Sequence, residues 1–196
     1  AGTFHNQAGA VFDKTATANS TTSVTAPFDN AGTVRVVNNG GTPTLTFSNV
    51  AQISGTTLTG GTWHANGGTI NLPGSNLLTI GPDATVILEG SGTINTVNTA
   101  LTTVNGCFYV NGSENFTTGA SGLILGSTGT VGGTGTLTGN LTGPGAVSPG
   151  RSVGILSLSG TLDPDPGFRF RIEAEDLGAG RYRGYGLCKP TLRENR

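Results

Sequence analysis

The sequence predicts an all-β chain wound as a solenoid, a parallel β-helix. Three observations predict it. Short β-prone runs alternate with Gly, Asn and Pro turns throughout residues 1–167. The 196 residues include 34 Gly, 32 Thr and 16 Asn, while only 11% are charged and 6% aromatic. The dipeptide Gly-Thr recurs eleven times. Thr, Val, Ile and Phe suit a pleated, half-buried surface. A Gly at a corner supplies a positive φ or lets two backbones approach closely, and a β-branched residue after it starts the next short strand. Asn suits the same corners because it tolerates the left-handed region. A β-sandwich competes with this reading, but sandwiches carry longer strands, hairpin turns every 8–12 residues and more core aromatics. Slender side chains stacked in layers fit the narrow interior of a β-helix.

The runs follow one another as TVRVV (33–37), TLTFS (44–48), LLTI (77–80), TVILEG (85–90), CFYVNG (107–112), LILG (123–126), GTLTGNLTG (135–143) and ILSLSG (155–160). The β-prone part of each run is only a few residues long. No segment places apolar residues at i, i+3, i+4 and i+7 over a helical length, so no helix is predicted. The Gly-Thr pairs fall at uneven intervals, which fits turns of about 20 residues carrying loops of varying length.

Charge and hydropathy exclude several function classes. The net charge of −1 gives the whole molecule no electrostatic pull on nucleic acid or on an anionic membrane. No run of 18 apolar residues exists, so membrane insertion by this segment is not expected. The first ten residues, AGTFHNQAGA, show no basic-then-apolar signal pattern. Met is absent, which marks a processed chain or a fragment. Cys107 and Cys188 have no metal-type spacing; they are either two thiols or a disulfide that sequence does not reveal.

The stretch GGTGTLTGNLTGPGAVSPGRSVGILSLSG (132–160) is the most patterned. Gly135-Thr136-Leu137-Thr138-Gly139-Asn140-Leu141-Thr142 is followed by Val147, Pro149-Gly150, Ser152, Gly154, Leu156, Leu158 and Gly160. This resembles the passenger-associated repeat of bacterial autotransporters and adhesin-like surface proteins. Arg151 stands where Asn is common in that repeat, and Ile155 where Thr is common. The rest of the chain, with NAGTV and GGTINLPGSNLLTI, is similar to the same Gly/Thr/Asn-rich proteins more loosely. The resemblance implies a right-handed parallel β-helix that is exported and either secreted or held at the cell surface, associated with the outer membrane. In the residues themselves, Pro149-Gly150 turns the chain between coils. Val153, Ile155 and Leu158 are expected to point inward, while Ser152, Ser157 and Ser159 face outward or cap the corner. Ile155-Leu156 breaks strict alternation, so one of the two belongs to a corner or bulge.

From Phe168 the texture changes. The body, 1–167, carries three basic and seven acidic residues, and the tail, 168–196, seven basic and four acidic. FRFRIEAE (168–175) alternates at period 2 and predicts one more strand, with Phe168, Phe170, Ile172 and Ala174 on one face. The remainder reads as a solvated or weakly docked tail. A nucleic-acid patch at RYRGYG (181–186), and a non-native origin of the tail, are the alternatives.

No chemistry-bearing constellation stands out. The acids of the body, Asp13, Asp29, Asp83, Glu89, Glu114, Asp163 and Asp165, are scattered rather than paired for glycoside chemistry. Asp163 and Asp165 in DPDPG are the one close couple, a weak Ca²⁺ candidate against a plain turn. His5 and His64 have no Cys or carboxylate at ligand spacing in sequence. Ser152 in GRSVG formally matches a nucleophile elbow, but a β-run follows it where a helix is needed. Trp63 reads as a buried ring filling one coil, or as an exposed platform for sugar. Thr-x-Thr triplets at 15–17, 44–46, 57–59, 128–130 and 134–138 would suit ice binding if they stacked in one column, and their irregular intervals do not show a column.

The residues predict a structural stalk, and the resemblance implies that it is extracellular and adhesin-like. No catalytic, cofactor-binding or metal residue is assigned, and no cofactor is expected. Its partners would be glycans or host surface proteins, met through weak multivalent contact. An open solenoid end is an edge that invites end-to-end association. The alternative is a carbohydrate-active β-helix whose site lies in turns outside this segment.

Overall fold

The computed structural model describes residues 2–74, 76–98, 100–150, 154–172, 174–176 and 182–184, the last two segments as backbone only. The described residues are all-β, without a helix, and stack as a parallel solenoid of about seven turns. The sandwich alternative is thereby set aside. Two strand pairs alone are antiparallel among the described residues: Ile53–Ser54 with Leu58–Thr57, and 174–176 with 182–184.

Three faces close each turn. The first is built from Val11–Ala16, Thr33–Asn38, the later part of Thr57–Asn66, the later part of Thr79–Glu89, Cys107–Asn111, Thr130–Gly133, Ala146–Pro149 and Arg169–Phe170. Its register places Phe12, Val34, Trp63, Val86, Phe108, Val131, Val147 and Phe170 in one column. All but the two end members of that column are buried. Strand side chains alternate between faces, so fixing one column inward fixes its neighbours outward. Successive members of the column lie from 16 residues (Val131 to Val147) to 29 residues (Val34 to Trp63) apart. The longer turn accommodates the small hairpin at Ile53–Leu58.

The second face stacks Ser20–Val24, Pro43–Phe47, Thr69–Asn71 and Thr93–Ile94 in parallel. The corresponding segments of later turns, Asn115–Thr117, Thr136–Thr138 and Ser157–Ser159, form their own parallel sheet. Leu45, Ile70, Ile94, Phe116, Leu137 and Leu158 supply its buried positions. The third face uses the early parts of the two long strands, then Thr103–Val104, Leu123–Leu125, Leu141–Gly143 and Leu162–Pro164. The long strand Thr79–Glu89 serves two faces because it bends at a register shift between Ile80 and Asp83.

The corners explain the Gly-Thr pairs. A Cβ on Gly92 would lie 2.0 Å from the Ala65 carbonyl oxygen of the preceding turn, and one on Gly129 would lie 2.0 Å from that of Val104. Neither turn accommodates a larger residue without moving backbone. Asn fills other corners: the Asn6 amide donates to Asn30 Oδ1 at 2.8 Å and to the Thr33 carbonyl at 3.0 Å, with both Asn side chains buried.

Trp63 is fully buried and donates from Nε1 to the Gly60 carbonyl at 3.0 Å. It ends a row of aromatic rings running Phe28, Phe47, Trp63, with centroids 4.7 and 5.7 Å apart, the first pair tilted and the second edge to face. The indole is core, so the sugar-platform alternative for it is corrected.

Two expectations about side-chain direction also change. Ile155 is 54% exposed, whereas Leu156 is 1% and Leu158 9% exposed. Strand Ser157–Ser159 is placed by Leu158 facing Leu137, and alternation back from Leu158 sends Leu156 inward and Ile155 outward. Arg151, Ser152 and Val153 lie outside the described residues, as does most of the tail, including Cys188, Arg181, Lys189, Arg193 and Arg196. The predicted strand over 168–175 shortens to Arg169–Phe170, paired with Ala146 and Val147. Phe168 packs partly against the core, but Phe170 and Ile172 are exposed. Residues 174–176 instead pair with 182–184.

Candidate functional site

The outward positions of the three faces are the available chemistry, and they segregate sharply. On the first face one outward row runs Asp13, Arg35, His64, Ile87, Tyr109. Arg35 donates from Nε to Asp13 Oδ1 at 2.8 Å and from Nη2 to Oδ2 at 2.5 Å. That guanidinium hydrogen bond holds the Asp13 carboxyl below the usual aspartate range. His64 Nε2 lies 3.0 Å from Glu89 Oε2, one turn further on.

A second polar group lies beside the first turns. His5 Nδ1 is 2.9 Å from Asp29 Oδ2, and Gln52 donates to Asp29 Oδ1 at 2.6 Å. The Gln52 hydrogen bond, then that of His5, lowers the Asp29 carboxyl. Both histidines thus have a carboxylate partner that sequence spacing does not show. The partners are 24 and 25 residues away, one turn of the solenoid.

Glu114 is different. It is 8% exposed, at the corner between Cys107–Asn111 and Asn115–Thr117. Burial raises its carboxyl above the ordinary glutamate value, against the opposing pull of backbone N–H groups of Ser91, Gly92 and Asn115. Ser91 is the one non-glycine residue with positive φ, 66°, among the described residues. The carboxylate therefore fastens a strained corner of the preceding turn.

The remaining acids stand apart from these groups. Asp83 is exposed beside the bend after Ile80. Asp163 continues an outward row of the third face after Thr142, and Asp165 donates its backbone N–H to Gly143 at 3.2 Å. Among the described residues no group of three or more His, Cys, Asp or Glu is placed to hold a metal ion. A shallow open hollow of about 300 Å³ lies at the corner between Val11–Ala16 and Ser20–Val24, lined by Thr15, Ala16, Thr17, Ala18, Ser20 and Asn39.

The second face carries no Asp, Glu, Lys or Arg on any of its strands. Its outward positions form two columns. Thr21, Thr44, Thr69 and Thr93 are in register in one, and Ser23, Thr46 and Asn71 in the other. In the later sheet Asn115, Thr136 and Ser157 stand beside Thr117, Thr138 and Ser159. Cross-turn bonds link neighbours: Thr69 Oγ1 to Thr93 Oγ1 at 3.0 Å, Asn71 Nδ2 to Thr46 Oγ1 at 3.2 Å, and Thr138 Oγ1 to Asn115 Oδ1 at 3.0 Å. Most Thr-x-Thr triplets of the sequence lie elsewhere. Only 44–46 and 136–138 fall on this face, and the other members read Thr-x-Ser, Thr-x-Asn, Asn-x-Thr or Ser-x-Ser.

No protein-family model, curated protein or solved structure matches this chain.

Proposed function

We propose that this chain is a segment of an extracellular, non-catalytic β-helical stalk. The observation that supports it is the unbroken register of the first face from Val11–Ala16 to Arg169–Phe170, with a core column behind it. About seven turns at about 4.8 Å each make a rod roughly 34 Å tall. In a solenoid each turn touches only its neighbours, so stability adds turn by turn and the rod resists bending without a bulky core. The Gly/Thr/Asn texture and the 132–160 repeat, which resembles autotransporter passengers, support display at a bacterial surface. The low charge of the faces suits weak, multivalent contact with glycans or host surface proteins.

The test is location and form together. Antibody labelling of intact cells that carry the chain in its parent protein, with electron microscopy of that protein, should show a thin surface rod. A parent protein confined to the cell interior contradicts the reading.

A further inference from the structure

The second face has a property that the stalk reading does not use. Its outward side chains form a two-dimensional lattice of hydroxyl and amide groups. Along a column the step is one turn, about 4.8 Å, and between columns it is two residues of strand, about 6.7 Å. These steps are of the same order as the repeat distances of the water lattice on the faces of an ice crystal, each longer than a single water-to-water hydrogen bond. We infer that this face binds ice through the Thr21–Thr44–Thr69–Thr93 column and its neighbour Ser23–Thr46–Asn71.

Four features of the face support this ligand over others. It is neutral: the ionisable row Asp13, Arg35, His64 lies on the first face, and no charged residue occurs on the strands of the second. A charged side chain would hold its own hydration shell and resist joining an uncharged lattice. The face is regular: its four early strands pair without a register shift, whereas the long strand Thr79–Glu89, which serves the other two faces, shifts register at its bend between Ile80 and Asp83. It is stiff: Thr is β-branched with restricted χ1, and the Thr69–Thr93 and Asn71–Thr46 bonds fix hydroxyls further. Little side-chain entropy is then lost on contact, and many weak contacts add along the columns. Finally, the aromatic rings of these strands, Phe47 and Phe116, are buried. The face offers no exposed ring on which a sugar could stack, so a solid water surface fits it better than a polysaccharide.

The columns are absent from the sequence as a repeat because the turns differ in length. The irregularity is absorbed at corners and in the Ile53–Leu58 hairpin, and the strands of this face still arrive in register.

The experiment uses the full chain in dilute buffer. Adsorption of the fluorescently labelled protein to a growing ice hemisphere and thermal hysteresis are measured for the wild type, Thr44→Lys, Thr69→Lys and, as a control on the third face, Thr103→Lys. Circular dichroism establishes that each is folded. The inference expects the wild type to adsorb and to depress ice growth. The activity should fall at least tenfold in Thr44→Lys and Thr69→Lys and stay within twofold in Thr103→Lys. A folded wild type that neither adsorbs nor shapes ice overturns it, as does equal loss in all three variants. Retention of the wild type on insoluble neutral polysaccharide with no ice activity also overturns it and assigns the face to glycan. Adsorption of the wild type needs no substitution, so a variant that does not fold leaves the test intact. The stalk reading rests on the stacked turns and on location, and it stands whichever way this experiment falls.

Discussion

Asn6 and Asn30 meet side chain to side chain, amide to carbonyl, at 2.8 Å inside the first corner, and the Asn30 amide continues to the Thr62 carbonyl at 3.3 Å. Two buried amides from successive turns satisfy each other and the backbone beside them. Removing one breaks the bond between them and leaves a buried polar atom of the other without that partner, which costs about 1–3 kcal/mol. Asn30→Ala should therefore lower the unfolding free energy by that amount, read from urea denaturation, and Asn6→Ala/Asn30→Ala should cost less than the sum of the single changes. Strict additivity in equilibrium unfolding would contradict a shared bond.

Glycine at the corners is required by space, not by flexibility. Gly92→Ala would press a methyl to 2.0 Å from the Ala65 carbonyl oxygen. The chain must shift, at a cost of about 1–3 kcal/mol or more. Gly119, with nothing within 4 Å of a Cβ and no positive φ, is the control: Gly119→Ala should change stability by less than about 0.5 kcal/mol. Thermal melts of the two variants check the contrast.

Trp63 is the chain's one tryptophan and is fully buried. Its fluorescence should be blue-shifted and poorly quenched by acrylamide until the solenoid unfolds. Trp63→Ala should cost about 3–5 kcal/mol, because the indole fills a whole layer beside Phe47.

Two carboxylates give opposite pH dependences. Glu114 has a raised folded value, so it favours folding below its ordinary value of 4.5 and that contribution is lost as pH rises through the raised value. Glu114→Gln should remove this slope, so the variant gains on the wild type as pH climbs from about 4 to 7. Asp13 is lowered by Arg35, so its contribution is present above the ordinary aspartate value and is lost as pH falls through the lowered one. The pair is solvent-exposed, so Asp13→Asn should cost less than about 1 kcal/mol at pH 7 and nothing at low pH. Urea midpoints against pH distinguish the two signs, and a wild-type slope unchanged in Glu114→Gln would contradict the role of burial.

The solenoid is legible in Val34 and Val36, whose alternation survives as two buried positions, and in Gly92 and Gly129, whose Gly-Thr pairs mark corners. What lies between turns is not legible. His64 meets Glu89 only because the corner at Gly67–Gly68 and the second and third faces together consume the right number of residues, and no local pattern states that number. The Thr44–Thr69 neighbours are hidden for the same reason, and a search for Thr-x-Thr finds mostly triplets on other faces. Ile155 misleads because it neighbours Leu156 in an apolar run, and the phase of that run is set at Leu158, by its partner Leu137.

In-register stacking is the claim on which everything else depends, and one cross-link tests it. Thr85 and Cys107 are register partners on adjacent strands of the first face. Adjacent strands place Cα atoms about 4.8 Å apart, within the span a disulfide bridges, whereas two steps place them near 9.6 Å, beyond it. In a Cys188→Ser background, mild oxidation of Thr85→Cys should give a 85–107 disulfide within one chain, read by peptide mass spectrometry. Thr62→Cys, two steps from Cys107, should give none. A link in Thr62→Cys together with none in Thr85→Cys would contradict the register, and with it the solenoid.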